Sequence, residues 1–290
     1  MSTAAGVAMI GLAGRDAFDA LFHPEGDATV ARVIARGVWR LFRRTGPRHQ
    51  LFPLGGPVAL VAVIGVWAVL LIVGWALVFW PHMPSGFRFD PRVDAAGSDF
   101  VHSLNISLVT LTTLGFGDIT PTAAALRLIL PLEALLGFGL LTSSISWLLL
   151  IYPVLSRRRS LAYEIWLLRT AEEETDLAVD RLEPEAAEQV YAGLTSRLVA
   201  VERDLVNFPI SYYFAEGDAR FSLPAAAPYL LELGRRGRAE DRPDRVRLRA
   251  HLLLKAVDDL GRTTAGFHGG RGDDSEELLR AYARDHLREP

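Results

Sequence analysis

Seven consecutive residues, Thr112-Thr113-Leu114-Gly115-Phe116-Gly117-Asp118, hold the clearest chemical potential in this chain. Gly115 and Gly117 alternate with larger residues. Glycine alone takes positive φ at little cost, so successive backbone carbonyls can all be turned toward one axis. The carbonyl oxygens of Thr113, Leu114, Gly115 and Phe116, with the Thr113 hydroxyl, then form a ligand strip for a cation stripped of water. One chain supplies one strip, and encircling an ion needs several copies related by rotation. The plain alternative is an ordinary glycine-rich turn.

The elements around this stretch must hold it at depth in a membrane. Pro57 to Trp80 is apolar and free of charge, enough for one crossing at about 20 residues per ~30 Å of hydrocarbon. Ala123 to Tyr152 forms a second. Between them, Gly, Asp and Pro break the chain too often for a span, which leaves a re-entrant loop. Irregular backbone at that depth is tolerated only where it is buried in protein or lines a polar path. Asp99 to Thr112 is expected as a short helix with Ser98 or Asp99 as N-cap. Its carbonyl end would point toward the bilayer centre, where the partial negative charge favours a cation. Ser103, Ser107 and Thr110 give it a polar face suited to packing. Arg32 to Arg48 contains no acid, and Arg157-Arg158-Arg159 follows the second span, so both ends of the chain are expected on the cytoplasmic side. Trp75 and Trp80 suit an aromatic belt, Arg127 a headgroup position, and Pro81 to Ser98 an external turret.

Thr113 to Asp118 reads Thr-Leu-Gly-Phe-Gly-Asp and resembles the selectivity filter of potassium channels, whose usual form is Thr-Val-Gly-Tyr-Gly-Asp. The resemblance covers roughly Pro57 to Ser156 and is to the two-transmembrane, single-pore-loop prokaryotic potassium channel family. It implies an all-α membrane protein: two transmembrane helices, a re-entrant pore helix and filter loop, and a mainly helical cytoplasmic C-terminal domain. It also implies K+ held by Thr113, Leu114, Gly115 and Phe116, with Gly117 completing the filter, in a homotetramer embedded in lipid. K+ is the transported ion, with no cofactor and no enzymatic step. Departures from the pattern concern the support. Thr112, Asn105 and Asp118 are the expected supporting residues, with the Asn105 amide anchoring Asp118. Ile106 would meet Phe116 by apolar packing, and Val109 replaces the glutamate that often backs the aspartate. Gly137 aligns with a hinge in the inner helix of relatives, with close helix packing as the alternative. Leu141, Ile145 and Leu149, with Phe138, follow helical spacing and suit an apolar gate. Glu133, an acid inside a span, should be partnered or protonated. Contact with a pore-helix hydroxyl or amide is the structural reading, and a proton sensor the sharper one.

At 290 residues, with 50% hydrophobic residues and a mean hydropathy of +0.20, the chain divides into three regions. These are a cytoplasmic N-terminal region to residue 56, a pore domain over 57–156, and a cytoplasmic helical region over 157–290. The absence of cysteine excludes disulfides, zinc–thiolate sites and a thiol nucleophile. A net charge of -3 argues against nucleic-acid binding despite Arg235, Arg236 and Arg238. Met1 to Pro24 lacks the basic start of a secretory signal. Thr29 to Gln50 is a basic amphipathic helix, lying at the membrane interface or packed on the C-terminal domain.

Beyond Ser160, helices are expected at Leu161 to Asp180, Pro184 to Val206, Leu223 to Leu233, Val246 to Gly261 and Ser275 to Leu287. Tyr191, Leu194, Leu198, Val201 and Leu205 form a stripe that suits either a bundle on a fourfold axis or an internal core. The acidic run Glu172-Glu173-Glu174-Thr175-Asp176 forms a solvated helix face or concentrates cations below the pore. Asn207 to Phe221 reads as an aromatic connector with a docking surface. No nucleotide-binding pattern or metal-ligand spacing occurs there, so any cytoplasmic ligand or protein partner stays unspecified. The competing functional class is a membrane-anchored cytoplasmic sensor or regulator with a non-selective or vestigial pore.

Overall fold

The computed structural model describes residues 1–23, 28–44, 46, 51–93, 97–270 and 274–288. Residues 47–50 of the expected basic helix, 94–96 of the turret and 271–273 lie outside the described residues. In chain order the elements are α1 (Ser2–Phe22), α2 (Thr29–Arg43), α3 (Gly55–Phe79), β1 (Phe87–Phe89), α4 (Asp99–Leu111), β2 (Ile119–Pro121) and α5 (Ala124–Thr175). There follow α6 (Pro184–Asn207), α7 (Leu223–Gly237), α8 (Asp244–His268) and α9 (Ser275–Asp285). Two segments are long and apolar enough to cross a membrane, Phe52–His82 and Ala124–Thr175. Among the described residues the protein is thus mainly helical, with one short antiparallel pair that pairs Phe87 with Pro121 and Phe89 with Ile119.

The contacts group the chain into two compact units, Met1–Ile34 with Val61–Leu149 and Ala35–Leu60 with Leu150–Pro290. In the first, apolar residues of α3, α4 and the start of α5 form one core around Leu71, Trp75, Phe79, Ile106, Leu111 and Leu126. Trp75 is therefore a core residue stacked on Phe79, not a belt residue, while Trp80 stays partly exposed with its ring edge on Phe100.

Helix α1 was not foreseen. It runs antiparallel along α3: a Cβ on Gly6 would meet Gly74 O at 2.4 Å, Ala13 joins the α3 core, and Asp16 reaches Trp67. Only paired glycines allow so close an approach of two helix backbones. Its start packs beside the 3-10 turn Trp80–His82. Met1 and that turn therefore share the end of α3 opposite Gly55. Asp16, 4% exposed, accepts from the backbone N–H groups of Val30 (2.8 Å) and Ala31 (3.0 Å) and from Trp67 Nε1 (2.8 Å). One buried carboxylate thereby satisfies orphan donors at the start of α2 and joins three helices.

In the second unit, Tyr191, Leu194, Leu198, Val201 and Leu205 of α6 are all buried, and α6 packs along α8. The stripe is an internal core, and the alternative of a fourfold-axis bundle is set aside. Helix α5 does not end near Ser156. It continues unbroken over Pro131, Pro153 and the three arginines to Thr175, so the separate helix expected from Leu161 is its continuation. Arg158 is itself buried and donates to Ser211 O (2.7 Å) and Phe214 O (2.5 Å), while Arg157 pairs with Asp204 and Arg159 with Glu216. In the Asn207 to Phe221 segment the aromatic side chains turn inward: Tyr212 and Tyr213 sit in an aromatic core with Trp39, Phe267, Tyr282 and His286. Asp285 in that core accepts from Trp39 Nε1 (2.9 Å), Arg43 Nη1 (2.7 Å) and Tyr212 OH (2.7 Å). The Trp39 end of α2 is thus held by the C-terminal helices. Glu172 is paired with Arg236 at 2.8 Å and accepts from Val179 N–H, so it belongs to a local network.

Candidate functional site

The loop after α4 has an unusual backbone. φ is +59° at Thr113, +58° at Gly115 and +74° at Gly117, while Leu114 and Phe116 between them keep negative φ. In a strand of uniform handedness, successive carbonyls point to opposite sides. A left-handed residue at every second position cancels that flip, which is the backbone pattern a one-sided carbonyl strip requires. Glycine carries this at two positions without strain. Thr113 is β-branched, and its left-handed φ costs on the order of 1–3 kcal/mol, a form of strain that concentrates at functional sites.

Local hydrogen bonds hold the entrance of the loop. Thr113 N–H donates to Thr110 O at 3.0 Å and Leu114 N–H to Val109 O at 2.9 Å, which occupies carbonyls at the end of α4. Thr112 Oγ1 donates back to Leu108 O at 2.6 Å. At the exit, Asp90 N–H donates to Asp118 O at 2.8 Å, next to the β1–β2 pair. The loop is pinned at both ends, and its middle presents Leu114 at 60% and Phe116 at 67% exposure on this chain. A Cβ at Gly115 or Gly117 would meet nothing within 4 Å, so their positive φ, not crowding, is what demands glycine.

Two supporting contacts differ from expectation. Asp118 Oδ1 accepts from Ile119 N–H at 3.1 Å, whereas Asn105 is exposed on α4 and does not anchor it within the chain. Ile106 is buried in the core with Leu71, Trp75 and Phe79 and does not pack on the exposed Phe116. An α4 residue that faces the core cannot also face the loop.

Beneath the loop, α4 is seated on α5 through Gly137. A Cβ there would lie 1.9 Å from Leu111 O and 2.8 Å from its carbonyl carbon, so the end of α4 rests on bare helix backbone. Close packing accounts for Gly137, and α5 is continuous through it. One turn earlier, Glu133 is fully buried: Ser107 Oγ lies 2.5 Å from its Oε1 and also 2.9 Å from Ile72 O of α3. This is contact with a pore-helix hydroxyl. Leu141, Ile145 and Leu149, with Phe138, are exposed on one α5 surface, and Thr142 and Ser146 return their hydroxyls to their own helix. The roles of Asp16 and Trp67, and the burial of Arg158, escaped sequence reasoning. The available signal for Asp16 was a carboxylate in an otherwise apolar helical stretch.

Comparison with known proteins agrees with this geometry. Residues 65–149 match a family described as "Ion channel", and that range covers most of α3, all of α4 and the loop, and α5 to Leu149. The chain is also similar to the uncharacterized membrane protein YdjJ of Bacillus subtilis (strain 168), at 23% identity over 146 residues. That match covers 50% of this chain and 42% of the relative, so the chain spans less than half of the relative's length. No solved structure matches. With two apolar spans, a short helix between them and a pinned loop after it, residues 65–149 have the layout of a two-span pore segment and match the ion-channel family over that range.

Proposed function

We propose that the protein is a potassium-selective channel subunit that conducts K+ passively through a homotetrameric pore. Left-handed backbone at Thr113, Gly115 and Gly117 supports this most directly, because it is the pattern that turns consecutive carbonyls to one side. Four such strips around an axis would give K+ cages of oxygen in place of its hydration shell, with neighbouring ions repelling one another along the row. Thr113, Leu114, Gly115 and Phe116 supply the oxygens, Gly117 the final turn, and Asp118 and Thr112 the pinned ends. The exposed face of Leu141, Ile145 and Leu149 suits an apolar constriction that closes by dewetting. The location that fits is the plasma (inner) membrane, with Arg32 to Arg44 and Arg157 to Arg159 on the cytoplasmic side. The chemistry is ion transfer with no covalent step.

Reconstitution into vesicles with K+ and Na+ gradients tests this reading. K+ flux well above Na+ flux, lost in Gly115→Ala, is the expected result. Equal fluxes, or undiminished K+ flux in Gly115→Ala, would overturn it.

A further inference from the structure

Helix α1 passes no simple test for a membrane span, because Arg15, Asp16 and Asp19 lie within it. Those charges all fall in its second half. From Ser2 to Gly14 it carries none, a length of about 20 Å at 1.5 Å per residue. This uncharged part lies along the α3 segment from Leu71 to Val78, which is itself free of charge. The register is fixed by Gly6 on Gly74, Ile10 on Gly74, and Ala13 in the core with Leu71, Trp75 and Val78. A helix packed backbone to backbone on a hydrocarbon-crossing segment occupies the same depth as that segment.

The opposite face of α1 has no cover on this chain. Val7 and Leu12 are 59% and 51% exposed, and the helix offers water no polar face over its first thirteen residues. The charged end is handled separately. Asp16 is buried under three N–H donors, and Arg15 and His23 lie within 3.6 and 3.7 Å of Asp19. Long side chains at a helix end reach the headgroups while their stems stay in the apolar layer.

We propose that α1 is a third membrane-embedded helix, with Val7 and Leu12 on lipid acyl chains and its start on the side of the filter exit. The chain then passes inward through α1, outward through α3, and inward again through α5. Arg32, Arg36, Arg40, Arg43 and Arg44 stay on the cytoplasmic side between α1 and α3, so the distribution of basic residues is respected.

The chain has no cysteine, so single cysteines report position without a background. Thr3→Cys, Ser85→Cys after the Trp80–His82 turn, and Glu240→Cys in the C-terminal region all replace exposed residues. Each is treated with a membrane-impermeant maleimide in right-side-out and inverted vesicles. Thr3→Cys reacting in the same orientation as Ser85→Cys, and opposite to Glu240→Cys, is the expected result. Thr3→Cys reacting with Glu240→Cys, or equally in both orientations, overturns the proposal. Ser85→Cys and Glu240→Cys reacting together would instead remove the crossing by α5, and with it the channel reading. A spin label at Val7→Cys should collide with oxygen more than with a water-soluble nickel chelate; the reverse order overturns the lipid-facing assignment.

Discussion

Ser107 Oγ stands 2.5 Å from Glu133 Oε1 and 2.9 Å from Ile72 O, so one hydroxyl touches α3 and α5 from its place on α4. A hydroxyl has one hydrogen, and two acceptors lie in reach. Both contacts close only when the carboxyl brings a hydrogen of its own. Glu133→Gln places an amide donor there and should assemble and conduct like the parent. Ser107→Ala leaves the buried Glu133 carboxyl without its partner, and Glu133→Ala leaves a cavity beside a Ser107 still bonded to Ile72 O; each should lower stability by about 1–3 kcal/mol. Thermal unfolding in detergent, run beside flux assays, checks the order Gln above Ala.

Gly137 and Gly139 make a second pair of opposites. A Cβ at position 137 would lie 1.9 Å from Leu111 O, backbone against backbone, whereas at 139 it meets nothing within 4 Å. Gly137→Ala should displace the end of α4, with a cost of at least about 1–3 kcal/mol and loss of conduction. Gly139→Ala should change stability little within this chain. Size-exclusion profiles and flux for the two variants decide it; equal tolerance would show that α4 is not seated on Gly137.

Asp285 gathers three donors, Trp39 Nε1, Arg43 Nη1 and Tyr212 OH, in a site where it is 6% exposed. Asp285→Ala strands an indole N–H and a phenol and leaves Arg43 without this partner. A loss of about 3–5 kcal/mol is expected, as for other broken buried ion pairs. Limited proteolysis should then cut at or near α2 sooner than in the parent protein. Asp204→Ala, which removes the exposed pair with Arg157, should cost at most about 1 kcal/mol.

Burial holds His286 well below the ordinary imidazole value of 6.5, and burial lowers His268 as well. The charges that face His286 and push the same way are Arg158, Arg43, His268 and Arg288. The folded state therefore binds fewer protons than the unfolded chain in mild acid. Stability from these groups is complete above about pH 6.5 and is lost as pH falls below that value toward the folded-state values. Unfolding of the intact protein between pH 8 and 5 should show a falling midpoint, with a smaller slope in His286→Gln.

The sequence by itself determined the parts whose signals are local. A long apolar run has nowhere stable but a membrane or a core, which made the charge-free α3 and the largely apolar first half of α5 legible. Alternating glycines announced a left-handed backbone at Gly115 and Gly117, though not at Thr113, where contacts and not residue type impose the conformation. Tertiary structure alone decided which partner each side chain takes. Ile106 faces the α3 core and not Phe116, Gly137 serves contact with Leu111, and the α6 stripe closes on α8 and not on an axis. Helix α1 shows the reason most plainly. Its Arg15, Asp16 and Asp19 hide a membrane helix from any scan of composition, because nothing local to Asp16 reveals that Val30, Ala31 and Trp67 donate to it. Such a carboxylate is affordable only once the folded chain has brought those donors together.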